Sequence, residues 1–304
     1  MSQRRTIHLS LLGGVDASYW LSSPFDPEKP TYVLINSFGT NANLFTAQFN
    51  DDKLTTIANL IAIEPLGHGK TECRQTVWTY WDSAYMNLEA MKVLGIQEVF
   101  VLGTSQGGFI AARMALIAPE KVKGIILLGT ALDAESDRLI AQGSWDGKSI
   151  ADGMLARWEK HALDGENFAP PTEYCRRIVE SGYGSDASEQ LIEFWTKEIR
   201  SSYKGEHGRQ KLIMMAINLK ERDGILARLP YITSPVLWMQ GTLDPVFTIC
   251  TAENEISLFK GSTSARLVIV PGGHHFLSAS HPDRVNPQMI QFAQEYSKGH
   301  ASKV

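Results

Sequence analysis

The 304-residue sequence contains only three cysteines, Cys73, Cys175 and Cys250, and they lie far apart in the chain. No Cys-x-x-Cys pair occurs, so the spacing does not match the common zinc-binding motifs. Three separated cysteines also do not form the even-numbered framework of a small disulfide-stabilised domain. We therefore expect free, reduced thiols, which are typical of a cytoplasmic protein.

Long apolar runs are equally scarce. No run approaches the about 20 residues that a membrane-spanning helix needs, and the stretch from Met1 to His8 lacks the apolar core of a signal peptide. The formal net charge is only −4, which argues against a nucleic acid or an anionic membrane as partner. The last residues, Ser302-Lys303-Val304, resemble the peroxisomal signal Ser-Lys-Leu, so we keep the peroxisome as an alternative compartment.

Apolar strand patterns and helical patterns alternate through the first part of the chain. This alternation predicts βαβ units and an α/β fold with a mostly parallel central sheet flanked by helices. A pair of strands around Gly13-Gly14 is expected to form a hairpin before the parallel region begins. The predicted strands cover residues 6–12, 15–21, 31–35, 56–63, 99–102, 122–129, 235–240 and 265–270, and the predicted helices cover residues 43–53, 80–94, 106–117 and 283–298.

The alternation stops at Leu132 and resumes near Pro235. The residues between them are helical and polar in pattern, without a strong strand candidate. We interpret residues 1–131 and 233–304 as the core domain and residues 132–232 as an inserted helical cap. Most of the large apolar residues of this insertion should pack the cap itself, and a minority should face the site; they include Trp145, Met154, Trp158, Phe168, Tyr174, Trp195, Tyr203 and Met215.

The sequence from Val99 to Phe109 is the first candidate for chemistry. An apolar, β-branched run ends in Gly103-Thr-Ser105-Gln-Gly107, and a helical pattern follows at once. This strand, sharp turn and helix are the context in which a Gly-x-Ser-x-Gly motif exposes a nucleophilic serine. The five-residue motif alone also fits a glycine-rich turn without any chemistry, so the remaining sequence must supply a base and an acid.

An aspartate and a histidine further along the chain can supply the acid and the base. Asp244 follows the strand that ends at Gln240, and His275 follows the strand that ends at Val270. The order Ser, Asp, His at successive strand ends predicts a catalytic triad of Ser105, Asp244 and His275. Alternatives stay open at both later positions, since Asp133 also follows a strand and His274 is adjacent to His275.

A serine nucleophile also needs two N–H donors near the developing negative charge. The backbone of Gln106 is the first candidate, because it opens the helix after the turn and benefits from the helix dipole. The second candidate is the backbone of Phe38, which lies in the turn Asn36-Ser37-Phe38-Gly39-Thr40 after the strand over residues 31–35.

Together these motifs resemble the α/β-hydrolase superfamily over nearly the whole chain, including the inserted cap. The loop from Asn36 to Thr40 is similar to the Asn-Ser-Leu-Gly-Thr loop of 3-oxoadipate enol-lactonases. The resemblance implies an α/β-hydrolase fold, and caps of this length are common in relatives that handle aromatic degradation products and polyketide-like metabolites. The matching motifs are Gly-Thr-Ser105-Gln-Gly-Gly, Glu64-Pro-Leu-Gly67-His68-Gly69, Gly-Thr-Leu-Asp244-Pro and Pro-Gly-Gly-His-His275-Phe-Leu.

These observations predict a serine hydrolase that cleaves a carboxylic ester or lactone of a small, largely apolar metabolite without a metal or organic cofactor. The stretch Gly69-Lys70-Thr71 resembles a phosphate-binding loop, but Glu64 stands where such a loop needs glycine. Alternatives with the same triad are an acyltransferase and a C–C bond hydrolase, and a receptor for small molecules is the non-enzymatic alternative. The sequence carries no signal for an oligomeric state.

Overall fold

A computed structural model describes residues 3–22 and 25–297 of the chain. Within these residues nine strands form one sheet, in the spatial order β1-β2-β4-β3-β6-β7-β8-β9, with β5 paired to β2. The strands are β1 (Gln3–Leu9), β2 (Val15–Leu21), β3 (Thr31–Ile35), β4 (Asn59–Ile63), β5 (Glu72–Cys73), β6 (Val99–Thr104), β7 (Val122–Leu128), β8 (Val236–Gly241) and β9 (Ala265–Val270).

The pairs along β4-β3-β6-β7-β8-β9 are all parallel, whereas β2 pairs antiparallel with β1, β4 and β5. The predicted α/β fold with a mostly parallel sheet flanked by helices is therefore confirmed. The helices are α1 (Thr46–Phe49), α2 (Asp52–Ile57), α3 (Tyr80–Val93), α4 (Gln106–Ile117), α5 (Asp137–Ala141), α6 (Gly147–Lys160), α7 (Thr172–Tyr183), α8 (Glu189–Ser202), α9 (Gly205–Glu221), α10 (Ile249–Ile256), α11 (Leu277–Ser280) and α12 (Pro282–Tyr296).

Helices cover both faces of the sheet, and the residues of the central strands β3, β4, β6 and β8 are therefore all buried and mostly apolar. In β3, Val33 and Ile35 belong to one hydrophobic core, while Tyr32 and Leu34 belong to a second core on the opposite face. This division follows from the two-residue period of a strand, which sends successive side chains to opposite faces. Burial on both faces explains why the alternating polar pattern of a half-exposed strand is missing here.

Several predicted boundaries differ from the structure near the ends of elements. The first strand spans Gln3–Leu9 rather than residues 6–12, because the chain reverses through a 3-10 turn at Leu11–Gly13. The helix predicted over residues 43–53 is a 3-10 turn followed by α1 and α2, since Asp51 accepts hydrogen bonds from the Lys53 and Leu54 backbones and starts a new helix. That helix continues to Ile57, so β4 begins later than predicted.

The remaining boundaries agree closely with the sequence patterns. Helices α3 and α4 and strands β7, β8 and β9 fall within a residue or two of their predicted limits. The short strand β5 lacked a sequence signal because it is only two residues long. Lys298, the predicted end of the last helix, and the C-terminal residues 302–304 lie outside the described residues. No helix of the described part combines the length and apolar character needed to cross a membrane.

The residues between β7 and β8 contain α5 to α9 and two 3-10 turns, with no strand in this fully described segment. Many of its buried side chains belong to the same hydrophobic core as the second face of the sheet. Helices α6 and α9 pack against each other, as do α7 and α8. The side chains that this segment contributes to that core include Trp158, Phe168, Tyr174, Cys175, Val179, Ile192, Trp195, Ile199, Tyr203, Leu212, Met215 and Leu219.

Candidate active site

Ser105 lies at the sharp turn between β6 and α4. Its backbone has φ 55° and ψ −118°, a conformation that favours glycine and is unusual for a serine. Three hydrogen bonds hold this conformation. The Ser105 N–H donates to the Leu128 carbonyl at 2.9 Å, and the Ser105 carbonyl accepts from the Thr130 hydroxyl at 2.7 Å and from the Gly108 N–H at 2.8 Å.

The two glycines of the Gly-x-Ser-x-Gly motif allow α4 to approach the sheet closely. A Cβ on Gly103 would overlap the Gly107 carbonyl, and a Cβ on Gly107 would overlap the Ile35 carbonyl oxygen at the end of β3. Any larger residue at either position would push the turn away from the sheet. The motif is therefore a packing requirement that holds Ser105 at the carboxyl end of β6.

The loop after β3 orients the Phe38 N–H by fixing the preceding carbonyl. The Ser37 carbonyl accepts hydrogen bonds from the Asn36 side-chain amide at 3.1 Å, the Thr40 N–H at 3.2 Å and the Thr40 hydroxyl at 2.7 Å. In a trans peptide the C=O and N–H point in opposite directions. The Phe38 N–H therefore points away from this cluster, and it donates no hydrogen bond within the part of the chain that is described.

The side chain of Gln106 is held by the loop that contains Glu64 and His68. Gln106 Nε2 lies 2.7 Å from His68 Nε2, and His68 Nδ1 lies 3.0 Å from the Leu66 carbonyl. Because a carbonyl can only accept, Nδ1 carries the proton and Nε2 accepts from the glutamine amide. Burial lowers the pKa of His68 to about 4, so the ring is neutral at pH 7. This pairing fixes the Gln106 side chain against the His68 loop, while the Gln106 backbone N–H stands at the first position of α4.

His275 and Asp244 are in direct contact behind the site. His275 Nδ1 lies 3.0 Å from both carboxylate oxygens of Asp244. The carboxylate also accepts hydrogen bonds from the Gln240 side chain at 2.9 Å and from the Val246 and Phe247 N–H groups at 2.8 and 3.1 Å. These donors hold a side chain that is itself fully buried. An imidazole bonded in this way presents Nε2 as its free nitrogen.

The alternative acid and base lie elsewhere. The Asp133 carboxylate accepts hydrogen bonds from the Ala134 N–H, the Ser136 hydroxyl and Arg138 Nε, each at 2.9 Å. The His274 ring lies beside that of His281, with centroids 6.2 Å apart and the planes tilted by 50°, and His274 does not line the cavity described next. The structure therefore brings His275 and Asp244 together and leaves both alternatives outside the site.

A cavity of about 590 Å³ lies over Ser105, between the strand ends and the helical segment. Of the predicted site residues, Phe38, Ser105, Gln106 and His275 all line it, and Asp244 lies behind His275. Its other lining residues are Ser37, Tyr80, Trp145, Ser149, Ile150, Gly153, Met154, Arg157, Tyr174, Arg177, Ile178, Glu180, Ser181, Leu219, Arg222, Pro245, Val246 and Phe276.

The large apolar residues of the helical segment fall into two groups, those that line the cavity and those that do not. Trp145, Met154 and Tyr174 line the cavity, whereas Trp158 and Tyr203 are buried away from it. Sequence patterns did not distinguish these groups, and they also missed Tyr80, Arg157, Arg177, Glu180 and Arg222 as lining residues. No signal in the sequence marks them, because helical periodicity identifies a buried face but not the partner that the face meets.

The charged groups of the walls are mostly paired. Arg222 forms an ion pair with Glu135 while both side chains are almost completely buried, and its guanidinium lies 3.9 Å from the centre of the Phe109 ring. Arg157 and Arg177 share Glu173, at 4.0 and 2.6 Å. In the described part of the chain, no group of three or more His, Cys, Asp or Glu side chains is arranged to hold a metal ion.

Comparison with known proteins identifies a family from the sequence and similar folds among solved structures. The sequence model of the family described as "alpha/beta hydrolase fold" matches residues 30–282. The chain is 25% identical to a 1-acylglycerol-3-phosphate O-acyltransferase of Arabidopsis thaliana, over 88% of this chain and 68% of that protein. It is also 23% identical to a pimeloyl-(acyl-carrier protein) methyl ester esterase of Yersinia enterocolitica, over 86% of this chain and 93% of that protein.

Among solved structures, the enol-lactonase of Burkholderia xenovorans has a similar fold. The TM-score is 0.73 at 17% sequence identity, and the match covers 95% of this chain and 100% of that one. At this identity the likeness concerns the fold alone. The family match over most of the sequence, together with the parallel sheet and its strand order, shows that the chain belongs to the α/β-hydrolase fold family.

Proposed function

We propose that this protein is a serine hydrolase that cleaves a carboxylic ester or lactone of a small, largely apolar molecule. The observation that carries the proposal is the convergence of three groups on one cavity. Ser105 lines it in a strained turn conformation, and His275, bonded to Asp244, lines the same cavity. The Phe38 N–H, without a partner among the described residues, belongs to the same lining.

In the proposed mechanism, His275 removes the proton of the Ser105 hydroxyl as this oxygen attacks the substrate carbonyl. Asp244 holds the imidazole in the required tautomer and stabilises its protonated form. The backbone N–H groups of Phe38 and Gln106 hold the oxyanion that develops. His275 then returns the proton to the leaving alcohol, and an activated water hydrolyses the acyl-enzyme. No cofactor is part of this proposal.

The substrate class follows from the size and lining of the cavity. A volume of about 590 Å³ suits a small molecule. Apolar side chains form much of the cavity wall, among them Phe38, Trp145, Ile178, Val246 and Phe276. We propose that residues 132–232 act as a cap, since α6 and α7 supply the side of the wall opposite the sheet.

Acyl transfer with the same residues is the second candidate function. The observation that favours it is the 25% identity to the Arabidopsis protein named as an acyltransferase, over 88% of this chain. Adding an alcohol acceptor to the ester assay separates the two functions. A hydrolase forms mainly the free acid, whereas a transferase forms mainly the new ester.

The decisive experiment combines a fluorophosphonate probe with hydrolysis of p-nitrophenyl esters and a lactone series. Wild-type protein should be labelled once, and Ser105→Ala should abolish labelling and reduce kcat by roughly four orders of magnitude or more. Ser181→Ala is the matched control, because Ser181 is another serine in the cavity wall. Retained labelling in Ser105→Ala, or full activity in His275→Ala, would contradict the proposal.

A further inference from the structure

Helix α7 lies over both loops that flank Ser105. On one side, the Gly182 carbonyl near its end accepts a hydrogen bond of 2.9 Å from the Phe276 N–H, directly after His275. On the other side, Tyr174 and Ile178 lie against Gly39 in the loop after β3. Tyr174 and Ile178 are four residues apart, so they share one face of the helix. This face lines the cavity.

Tyr174 carries a polar group that the protein itself does not satisfy. The residue is only 4% exposed, and its hydroxyl has no hydrogen-bond partner among the described residues. Buried hydroxyls are normally hydrogen-bonded, because leaving one without a partner costs free energy. An unpartnered hydroxyl on a residue of the cavity wall therefore suits a ligand that supplies an acceptor oxygen.

The position of this hydroxyl indicates which oxygen it would meet. The Tyr174 Oη lies 3.7 Å from the point where a Cβ on Gly39 would stand. Gly39 directly follows Phe38, whose N–H is the proposed oxyanion donor. The hydroxyl thus lies beside the loop that carries the proposed oxyanion donor, whereas the Phe276 N–H, directly after His275, bonds to the Gly182 carbonyl near the end of α7.

Packing holds the Tyr174 ring in this position. The ring meets Trp158 edge to face, with centroids 4.8 Å apart and an interplanar angle of 82°. Trp158 is itself completely buried. Burial also raises the pKa of Tyr174 well above its ordinary value, so the hydroxyl is protonated at neutral pH. A held, protonated hydroxyl is a donor that needs little rearrangement when the substrate arrives.

We propose that the Tyr174 hydroxyl is a third hydrogen-bond donor to the carbonyl oxygen of the substrate, beside the backbone N–H groups of Phe38 and Gln106. This inference rests on the proposed serine hydrolase function and adds a side-chain donor from α7 to it. It also makes this helix part of the catalytic site rather than only a wall of the cavity.

The first test compares Tyr174→Phe with wild type in steady-state ester hydrolysis. A hydrogen bond to a charged group is worth enough for its loss to reduce kcat about 10- to 100-fold. KM should change little, because the bond strengthens only as the oxyanion forms. The rate of fluorophosphonate labelling should fall by a similar factor, since that reaction also places negative charge on the oxygen.

Tyr203→Phe is the matched control. Tyr203 is also completely buried with an unpartnered hydroxyl, but it does not line the cavity. Removing either hydroxyl should leave thermal stability unchanged or slightly increased, because a buried unpartnered group is lost in both variants. Only Tyr174→Phe should have a lower kcat than wild type. This difference in kcat between the two variants distinguishes a donor to the substrate from a hydroxyl with a purely structural role.

The second test is a crystal structure of wild-type protein with the phosphonylated Ser105. The Tyr174 hydroxyl should lie within about 3.2 Å of the phosphonyl oxygen held by the two backbone N–H groups. A hydroxyl bonded elsewhere in that complex, or equal kcat values for Tyr174→Phe, Tyr203→Phe and wild type, would overturn this inference and leave the hydrolase proposal intact. Absence of labelling and turnover in wild type would overturn both.

Discussion

The contact between His275 and Asp244 is the residue-scale feature on which the proposed chemistry depends most. Asp133 and Asp244 both follow strands of the sheet, and only Asp244 reaches the imidazole, with both oxygens 3.0 Å from Nδ1. The Asp133 carboxylate is instead occupied by Ala134, Ser136 and Arg138. The two aspartates therefore have different roles, and matched substitutions can separate them.

Asp244→Asn should reduce kcat by about 10⁴, because an amide at this position favours the wrong imidazole tautomer. Asp133→Asn should leave kcat nearly unchanged and lower the free energy of unfolding by about 1 kcal/mol, through its weakened bond to Arg138. Ester hydrolysis and urea unfolding of both variants measure these effects. A large kcat loss in Asp133→Asn, or none in Asp244→Asn, would assign the acid differently.

At the scale of elements, the site depends on how closely α4 can approach the sheet. The Gly107 Cα faces the Ile35 carbonyl at the end of β3, and there is no space for a methyl group between them. The first two turns of α4 are buried on all sides, including Arg113, whose guanidinium pairs with Asp223. The position of the helix and that of Ser105 at its start are thus fixed by the same contacts.

Gly107→Ala should destabilise the protein by about 1–3 kcal/mol, because the added methyl group forces α4 away from β3. The rate of fluorophosphonate labelling should fall as well, since Ser105 moves with the start of the helix. Thermal unfolding and labelling kinetics measure the two effects.

Gly153→Ala serves as the stability control for this substitution. Gly153 lies within α6, and a Cβ there would meet no atom within 4 Å. Alanine in a helix interior is favoured over glycine by about 1 kcal/mol, so this variant should be as stable as wild type or more stable. Equal stability changes in the two variants would show that the space around Gly107 does not restrict α4.

For the whole molecule, the junction between the sheet and the helical segment contains a buried carboxylate. Glu255 on α10 accepts hydrogen bonds from the Leu132 N–H at 2.6 Å and from Arg138 at 2.9 Å. Leu132 and Arg138 lie at the start of the helical segment, and the Asp133 carboxylate is nearby. The end of the helical segment also contacts its start at this junction, since the Ile225 N–H donates to the Leu132 carbonyl at 2.8 Å.

Burial raises the pKa of Glu255 to about 7, against 4.5 for the ordinary side chain, although Arg138 and the Leu132 N–H oppose this shift. Between these two pH values the folded protein keeps a proton that the unfolded chain releases. The contribution of Glu255 to stability is therefore complete below pH 4.5 and is lost as the pH rises to about 7, by about 3 kcal/mol in total.

Glu255→Gln should remove this pH dependence, because an amide does not titrate. Urea unfolding of wild type and variant at several pH values between 4.5 and 8 measures the difference between the two profiles. Glu253→Gln, on the exposed side of the same helix, is the control and should follow wild type. Parallel profiles for wild type and Glu255→Gln would contradict a raised pKa at this junction.

Local sequence patterns determined the fold class, the order of the eight longer strands and the positions at strand ends of Ser105, Asp244 and His275. They could do so because a buried parallel strand is mostly apolar and because the Gly-x-Ser-x-Gly turn needs its glycines for packing. Each of these signals is contained in about ten consecutive residues. The predictions were weaker where a single side chain mattered, as with the Asp51 cap that divides the first predicted helix into α1 and α2.

Only the tertiary structure decided which aspartate reaches His275 and which side chains of the helical segment face the cavity. Tyr174 and Tyr203 are both buried aromatic residues in helical sequence, and nothing local distinguishes the one that lines the site from the one that packs the core. The same holds for the pairing of Arg222 with Glu135 across more than eighty residues of chain. The physical reason is that local periodicity sets the orientation of a side chain on its own helix, whereas the group it meets depends on how that helix packs against distant parts of the chain.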